Sequence, residues 1–552
     1  MAFDTTKRQA NWVYLVQVLL SGVTKYYSNL PVTIDGQFYN PAIKGSVSIS
    51  TQLSDVLNPQ QTASSITLEF RNEDQALTSL FNSYTWANRI VRIYLGEQGT
   101  SLSSGFSQVF EGRVRFPNGI QWDEKTAWVI VNDRRVMDSK ALPVESPMGG
   151  STPRYVTAEY SLLETKSNTN PKQILVGDWG TVQTERIRAI CVNTTTRKFR
   201  IAGHAVSAIS KVYKQAGVSA FTSVTFSSVS LSEASFILGV AYDSSRDVIT
   251  VHAKGAKTAA GTLIENPSKV LKYLLQTHMG VPTSGINTTA FSTLETGTPG
   301  IKLRRHLTDV MQSSVLIEEI AREVGLNFYI KNGQYFSSVL EYSTGSGLTT
   351  FTGTDLVPGS FRVIQDPDNS YFNSLSVGYA FNPETGQYRY IDQKNTTSIA
   401  DVQANVHRSM EFNWIYREDD ADNRASSMLY IFSKEPTTVL ARFKARAMLH
   451  YLTDQLVFDY ENPLAGKIYS DAVDYQIRSM DLDPSGVSIG LSLWDISLLT
   501  AYGHWANDSI PAWASATPTQ RDENGFWTDD DGNIVPGDPN TALSLWATET
   551  AA

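Results

Sequence analysis

A single cysteine, Cys191, rules out an internal disulfide, so packing alone must hold this 552-residue chain together. The "RAICVN" around it reads as a buried strand, which places the thiol in a core rather than at a reactive surface. Basic runs longer than a pair are absent, and the formal net charge is -9, which argues against a surface built to bind nucleic acid. Long apolar runs are absent too: nothing approaches the roughly 18 residues that a membrane-spanning helix needs. The run "WVYLVQVLLSGV" after Lys7 and Arg8 imitates a signal peptide. Gln17 interrupts it, Asp4 spoils the charged flank and no clean cleavage site follows, so it is read as a strand. Assembly in a cytoplasm is the expectation. Charged residues make up only 18%, below the usual quarter, while Ser, Thr, Tyr and Trp are plentiful. Many half-buried strands would require that balance.

The expected fold class is mainly β and multidomain, with helices in minority. From Trp12 to about Asp138 the text is strands and tight turns. "PVTIDGQFYNP" turns at Asp35-Gly36, "SSITLEF" alternates, and Asn72 is placed to cap a short helix in "EDQALTSLF". "RIVRIYLG", "SQVFEGRVRF" and "TAWVIVND" bring the set to about seven strands. A Pro, Gly and Ser-rich stretch, "LPVESPMGGSTPRY", then marks a linker or long loop. Beyond it come "ILVGDWGTV", "RDVITVHAKGAK" and the helix "ENPSKVLKYLLQTHMG", with Asn266 as N-cap, Pro267 in the first turn and Gly280 past its end. A second helix, "SSVLIEEIAREVG", leads into a hairpin about Asn332-Gly333. "SLSVGYAFNPETGQYRYIDQ" is a further hairpin, and "EPTTVLARFKARAMLHYLTDQ", with Pro436 in its first turn, is expected to be a long helix. Strands "LVFDYE", "DAVDYQIRSMDLD" and "SGVSIGLSLWDI" close the folded part near residue 500. The remaining 50 or so residues are polar, acidic and Pro-rich with isolated Trp.

Motifs for chemistry are scarce. His204, His252, His278, His306, His407, His450 and His504 lack metal-ligand spacing, and His278 and His450 are assigned to apolar helix faces. No nucleophile elbow or phosphate loop is present, and "STGSG" at Ser343 to Gly347 misses the elbow register. The tail "DENGFWTDDDGN" echoes a calcium loop. Anchored on Gly532 it puts Trp527 at the first ligand position; anchored on Gly525 it puts Gln520 there. Two solvated turns, at Asn524-Gly525 and Asp531-Gly532, are the simpler reading. Carboxylate pairs for glycoside hydrolysis are defined by spatial separation and cannot be picked from sequence. The expectation is therefore no enzyme, with no catalytic, cofactor-binding or metal-binding residue assigned and no cofactor.

The order of segments resembles the central hub proteins of tailed-phage tail tips and baseplates, the family that includes the trimeric hub of contractile phages and the N-terminal part of long-tailed-phage tail-tip proteins. It is carried by "VTIDGQFYNPAI…SSITLEFRNEDQAL…RIVRIYLG…VFEGRVRF", then "ILVGDWGTV", "VSAISKVYKQAGV" and "TLIENPSKVLKYLLQTHMGVP". "LIEEIAREVGLNFYIKNGQYF" and "FNSLSVGYAFNPETGQY" extend it over about residues 10 to 500. Each motif is mostly turn and capping chemistry; their order is the specific part. The resemblance implies two tail-tube-like β-barrel or sandwich domains, each with a helix. Residues 1–142 would be the first, 143–300 an inserted β-rich peripheral domain and 301–354 a helix-hairpin connection. Residues 355–500 would be the second tube-like domain, with the long helix, and 501–552 an acidic, Trp-containing extension. It implies a homotrimer that closes the distal end of the tail tube in the virion. Its partners would be the tube or distal tail protein, the tape measure protein and central spike or fibre proteins, with DNA passing through the channel without specific binding. An acidic lumen would repel phosphates. Long-tailed relatives continue into fibronectin-like modules and a fibre, not recognisable here, so host recognition is expected of another protein or of partners on the acidic tail. No lysozyme-like or peptidase-like domain is recognisable. Two other readings stand beside the hub: a receptor- or glycan-binding tail protein using Trp505, Trp513, Trp527 and Trp546, and a β-rich glycan hydrolase.

"GQ" followed by an aromatic occurs at Gly36, Gly333 and Gly386. The intervals show no repeat period, so the echo is hairpin chemistry and not a duplication mark.

Overall fold

The computed structural model describes residues 12–45, 47–53, 60–62, 65–133, 135, 138–142, 154–180, 185–298, 300–339, 348–365, 370–434, 437–461, 468–483, 488–496, 504–505 and 527–528. Its first part contains β1 (Trp12–Leu20), β2 (Val23–Ser28), β3 (Val32–Ile34), β4 (Gln37–Tyr39), β5 (Ile49–Gln52) and β6 (Ser65–Arg71). Helix α1 (Ala76–Ser83) precedes β7 (Ile90–Glu97), β8 (Phe106–Val114), β9 (Ile120–Trp122) and β10 (Thr126–Asp133). Six strands form a sheet in the order β2-β1-β7-β8-β10-β6, with β9 paired to β10. Alternation sets which face is inside: Val16 and Val18 of β1, Val91, Ile93 and Leu95 of β7, and Ile66, Leu68 and Phe70 of β6 enter one core. On the other face of β1, Val13 and Leu15 are covered by the β3–β4 hairpin through Val32, Ile34 and Tyr39. That hairpin turns at Asp35 (φ 49°) and Gly36 (φ 79°), the left-handed pair the sequence required. α1 starts later than expected. Gln75 holds its N-cap position, while Asn72 donates from Nδ2 to Thr78 Oγ1 (2.8 Å) and to the Asp123 carbonyl (3.2 Å), tying the helix to the β9–β10 turn.

A second sheet has the spatial order Thr349–Thr352, Gln455–Glu461, Ile468–Asp483, Ser488–Asp495, Thr437–Lys444, Arg362–Gln365. β5, from the first part of the chain, joins it antiparallel to Ile468–Asp483, with Thr51 opposite Met480. The two sheets share one continuous core, in which Val18, Leu68 and Val129 are grouped with Phe351, Phe443, Phe458, Leu491 and Leu493. Phe443 packs edge-on to Phe351 (5.3 Å) and Phe458 (5.6 Å). Full burial of each such ring is worth roughly 2–3 kcal/mol, so the exchanged strand and common core join both sheets into one unit.

The helix expected over "EPTTVLARFKARAMLHYLTDQ" is absent. Thr437–Lys444 is a central strand and Ala445–Leu449 a 3-10 turn, while Pro436 lies outside the described residues. Val439, Ala441 and Phe443 alternate into the core, and this period of two outweighed the helix propensity of the Ala, Leu, Arg and Lys around them. The long helix is instead Glu418–Phe432, which carries Glu418, Asp419 and Asp420 in its first turn, where negative charge meets the positive end of the helix dipole. It packs on a three-stranded sheet ordered Gln387–Lys394, Ser374–Asn382, His407–Glu411.

Between the two large sheets in sequence lie two four-stranded sheets over residues 187–254, packed around Phe199, Phe236, Val212, Val251 and Cys191. The helices Pro267–Tyr273, Thr288–Gly297 and Ser313–Val324 follow, then a hairpin of Leu326–Lys331 and Gln334–Val339. Asn266 caps the first helix by accepting the Ser268 N–H (3.0 Å), and Gly325 (φ 78°) ends the third. These elements share a core with the three-stranded sheet and the Glu418–Phe432 helix.

Candidate assembly surface

In the first large sheet, the polar face opposite the shared core is organised by register. Tyr26, Gln17, Arg92 and Glu111 stand opposite one another on β2, β1, β7 and β8. Arg92 Nε donates to Glu111 Oε2 at 2.8 Å, and Gln17 Nε2 donates to the Tyr39 hydroxyl at 2.8 Å. The second sheet repeats the device. Arg442 Nη2 lies 3.4 Å from Asp481 Oδ2, and Ser48 Oγ donates to Asp481 Oδ1 at 3.0 Å. Each sheet thus presents an Arg–carboxylate pair on its polar face.

One edge of the first sheet is open. Ser28 N–H donates to the Asn40 carbonyl (2.8 Å) and Asn40 N–H donates to the Tyr26 carbonyl (3.0 Å), so the even-numbered residues of β2 aim their backbone groups away from β1. Segment 40–44 then crosses to β6, where Lys44 N–H donates to the Glu69 carbonyl and Arg71 N–H to the Ala42 carbonyl. This closes the barrel at one end only. At the other end, Thr24 continues the outward series with no described strand beside it. The gap is a groove of about 620 Å³ between Thr24–Tyr27 and α1, floored by Asn40 to Ala42. Leu77 and Leu80 of α1 and Phe38, 55% exposed, supply apolar walls. Lys25, Arg71 and Glu73 line it without an ion pair among the described residues. The apolar strip continues on α1 through Phe81, which meets the half-exposed Trp122 at 5.3 Å. An unpaired strand edge beside an apolar groove is a template for strand addition.

Two buried polar clusters fasten the inserted sheets, the connecting helices and the three-stranded sheet to one another. Arg304 lies between the rings of Trp179 (4.5 Å) and Tyr416 (4.4 Å) and pairs with Glu185 Oε2. Arg389 Nη2 reaches Glu185 Oε1 at 2.9 Å. Beside them Arg186 grips Glu384 with two bonds, of 3.0 and 2.9 Å. In the second cluster, Glu323 Oε1 accepts the Asn413 N–H (2.7 Å) while Oε2 accepts those of Trp414 (2.8 Å) and Ile415 (3.2 Å). Glu319 takes the side chains of Asn413 (2.9 Å) and Trp414 (3.0 Å), with Arg305 at 3.7 Å. Burial and the Glu319 charge push the Glu323 carboxyl up to about 8, against the lowering effect of the N–H donors.

The histidines do not converge on a metal, and no cluster that could hold one occurs among the described residues. His204 accepts the Leu175 N–H on Nε2 (2.9 Å), so its proton sits on Nδ1, facing the Ala205 carbonyl at 2.8 Å. Tyr273 and His278 complete an aromatic cluster with it, Tyr273 and His278 lying 4.8 Å apart. Burial, with His204 beside it, lowers His278 to about 3, and burial with Arg305 lowers His306 to about 4. His252 packs on Tyr213 (5.0 Å), and His407 Nδ1 meets Ser374 Oγ (3.1 Å). His450 is not on a helix; it follows the 3-10 turn, with Nδ1 3.7 Å from Asp454. His504–Trp505 pairs with Trp527–Thr528 as a short ladder. Cys191 is buried, and burial with the Glu164 charge pushes its thiol up to about 12, which leaves it unreactive. "STGSG", Trp513, Trp546 and the rest of the acidic tail, including its calcium-loop echo, lie outside the described residues. The buried charges Glu185, Arg304, Glu319 and Glu323 carry no local sequence signal, because their partners lie some 90 to 200 residues away.

No family model matches the sequence, and no curated protein matches it. The solved structures to which the chain is similar are tail, baseplate and related proteins. One is the 43 kDa tail protein of prophage MuSo2 from Shewanella oneidensis, at 9% identity and a TM-score of 0.38, covering 88% of this chain and 97% of that one. Another is a tail protein from Neisseria meningitidis, at 7% identity and a TM-score of 0.37, with the same coverage of 88% and 97%. A third belongs to the virion of a native gene transfer agent particle, at 10% identity and a TM-score of 0.38, covering 65% of this chain and 91% of that one. At such identity and TM-score, likeness decides neither fold nor function.

Proposed function

We propose that the chain is a structural protein of a phage tail tip or baseplate, acting as a hub whose three copies form a ring that closes the distal end of the tail tube. The observation that carries this reading is the pair of seven-stranded sheets, joined by β5 and one core, each with an Arg–carboxylate pair on its polar face. One chain then offers two comparable curved sheets, so that three chains supply the six that a hexameric tube presents. The paired arginines and carboxylates give a lining with little net attraction for phosphates, which suits a channel that DNA must leave. The inserted sheets and the connecting helices form the periphery, and the domain limits inferred from the sequence belong to this proposal.

Within it, the groove beside β2 is the docking surface for a distal tail, tape measure, spike or fibre protein. A strand of such a partner would pair with Thr24 and Tyr26, seat an apolar residue on Leu77, Leu80 and Phe38, and set a carboxylate against Lys25 or Arg71. Counting copies in purified particles tests the scheme: three copies are expected for each six-subunit ring of tube protein. Thr24→Pro, which removes the N–H a partner strand would use, should reduce incorporation into tails while leaving the melting temperature within a few degrees of the wild type. A chain that stays monomeric, is absent from tails and cleaves or binds polysaccharide would overturn the reading.

A further inference from the structure

The three-stranded sheet of Gln387–Lys394, Ser374–Asn382 and His407–Glu411 has two unlike faces. Leu375 and Val377 of its central strand, with Ile391 and Met410 beside them, enter the core under the helix Glu418–Phe432. Alternation turns Ser374, Ser376 and Gly378 the other way. Register then sets Lys394, Asp392 and Tyr390 beside them on one flank and His407, Ser409 and Glu411 on the other. All six flanking residues are exposed, so this second face is open to solvent.

Two rings occupy the middle of the open face. A Cβ added at Gly378 would lie 3.1 Å from Tyr390 Cε1 and 3.2 Å from Tyr388 Cβ, so the two tyrosines close over the gap that the glycine leaves. Tyr388 is fixed there: its hydroxyl donates to Asn413 Oδ1 at 2.6 Å and its ring lies 5.0 Å from that of Phe381. Tyr390 is 57% exposed and its hydroxyl has no partner among the described residues, so the ring rests on the glycine and offers the rest of its surface to solvent. The polar groups around it are free as well. The side chains of Asp392, Lys394, Ser376 and Ser409 make no hydrogen bond or ion pair among the described residues. Arg322 Nη2 reaches the Glu411 carbonyl (3.4 Å) rather than its carboxylate. That carboxylate stands close enough to Tyr388 for its charge, after burial, to help push the Tyr388 hydroxyl up to about 12.

The composition of the face selects its occupant. It carries no aliphatic residue, whereas a stable protein interface needs an apolar centre. A nucleic acid stacked on the rings would set its phosphates against Asp392 and Glu411. An exposed ring bordered by free hydroxyls, two carboxylates and an ammonium suits an uncharged polyol: its C–H face on the ring, its hydroxyls donating to the carboxylates and accepting from the ammonium. We infer that the open face of the three-stranded sheet is a binding site for a neutral saccharide chain, with Tyr390 as the stacking platform and Asp392, Glu411 and Lys394 holding hydroxyls. The sheet shares the core of the connecting helices and not that of the two large sheets, so the inference does not rest on the tail-tip reading.

The full-length chain is titrated with maltohexaose, cellohexaose and chitohexaose, and binding is read by saturation-transfer NMR of the sugar protons. Saturable transfer to at least one of the three is expected, strongest at the C–H protons of the pyranose rings. Tyr390→Ala should weaken that binding about tenfold or more, whereas Tyr390→Trp, which keeps a ring, should retain it. Phe116→Ala removes an equally bare ring, 72% exposed, at the turn after β8, and should leave binding unchanged. Should Tyr390→Ala fail to fold, the double variant Asp392→Asn with Glu411→Gln takes its place and should weaken binding to a similar degree. Heparin and oligo(dT) are run in parallel as anionic probes. No saturable binding of any of the three sugars, undiminished binding in the folded variants of the face, or tighter binding of either anionic probe overturns the assignment.

Discussion

Glu185→Gln should be among the most destabilising single substitutions in this chain, at about 3–5 kcal/mol in urea unfolding. Glu185 and Arg304 are both almost fully buried, and Glu185 is the carboxylate that Arg304 and the half-exposed Arg389 share. Removing its charge leaves Arg304 between Trp179 and Tyr416 with no anion, and Arg389 without its anchor. The loss should appear as a lower midpoint with an unchanged slope. The double variant Glu185→Met with Arg304→Met should recover much of it, since a packed apolar pair avoids the desolvation of both ions. By contrast, Lys198→Ala breaks only the exposed pair with Glu233, and should move the midpoint little. If Glu185→Gln were as mild as Lys198→Ala, the cluster would not be fastening the inserted sheets to the rest.

Stability should follow a bell against pH, with its maximum near pH 6.5. His278 and His306 are held neutral in the fold, at about 3 and about 4, against 6.5 when unfolded. Between those values the unfolded chain binds more protons, so stability rises with pH and is fully gained by about pH 6.5. Glu323 acts in the opposite sense. Its carboxyl stands at about 8 in the fold against 4.5 unfolded, so in that interval the native state binds the extra proton and stability falls as pH rises. Below 6.5 the two histidines outweigh the Glu323 carboxyl, and His204, also lowered by burial, acts in the same sense; from 6.5 to 8 Glu323 contributes a fall of about 2 kcal/mol. Urea midpoints across this range measure both limbs. Glu323→Gln should flatten the alkaline limb, although its amide cannot accept all three N–H bonds and the variant will be less stable throughout. A wild-type profile that is level or rising from pH 6.5 to 8 would mean that Glu323 is already ionised in the fold.

The parts of the fold that local chemistry encodes are legible in the sequence. Asp35-Gly36 and Asn332-Gly333 turn where their left-handed pairs demand, and Asn266 and Gly325 bound helices as their side chains and backbone freedom require. Strand alternation is also sound over β6, β7 and β10. Competition between periods is what hides the rest. "TVLARFK" is rich in helix formers, yet Val439, Ala441 and Phe443 are claimed by a sheet whose other strands lie elsewhere in the chain. The helix Glu418–Phe432 is faint in the sequence because its buried stripe begins with Ala421 and Ala425, which carry little hydrophobic contrast. The exchange of β5 into the second sheet has no local signature. Nor do the buried ion clusters: Glu185 looks like one of many surface charges until Arg304, 119 residues away, is placed beside it.

The central claim is that two sheets of one chain serve as two neighbouring positions of a six-part ring. A density map of the isolated tail tip tests it most directly. Three copies should sit on the hexameric tube with both large sheets of each around the axis, the Arg92–Glu111 and Arg442–Asp481 pairs toward the channel. A map in which the chain decorates the outside of the tail, or in which only one of its two sheets lines the ring, would contradict it.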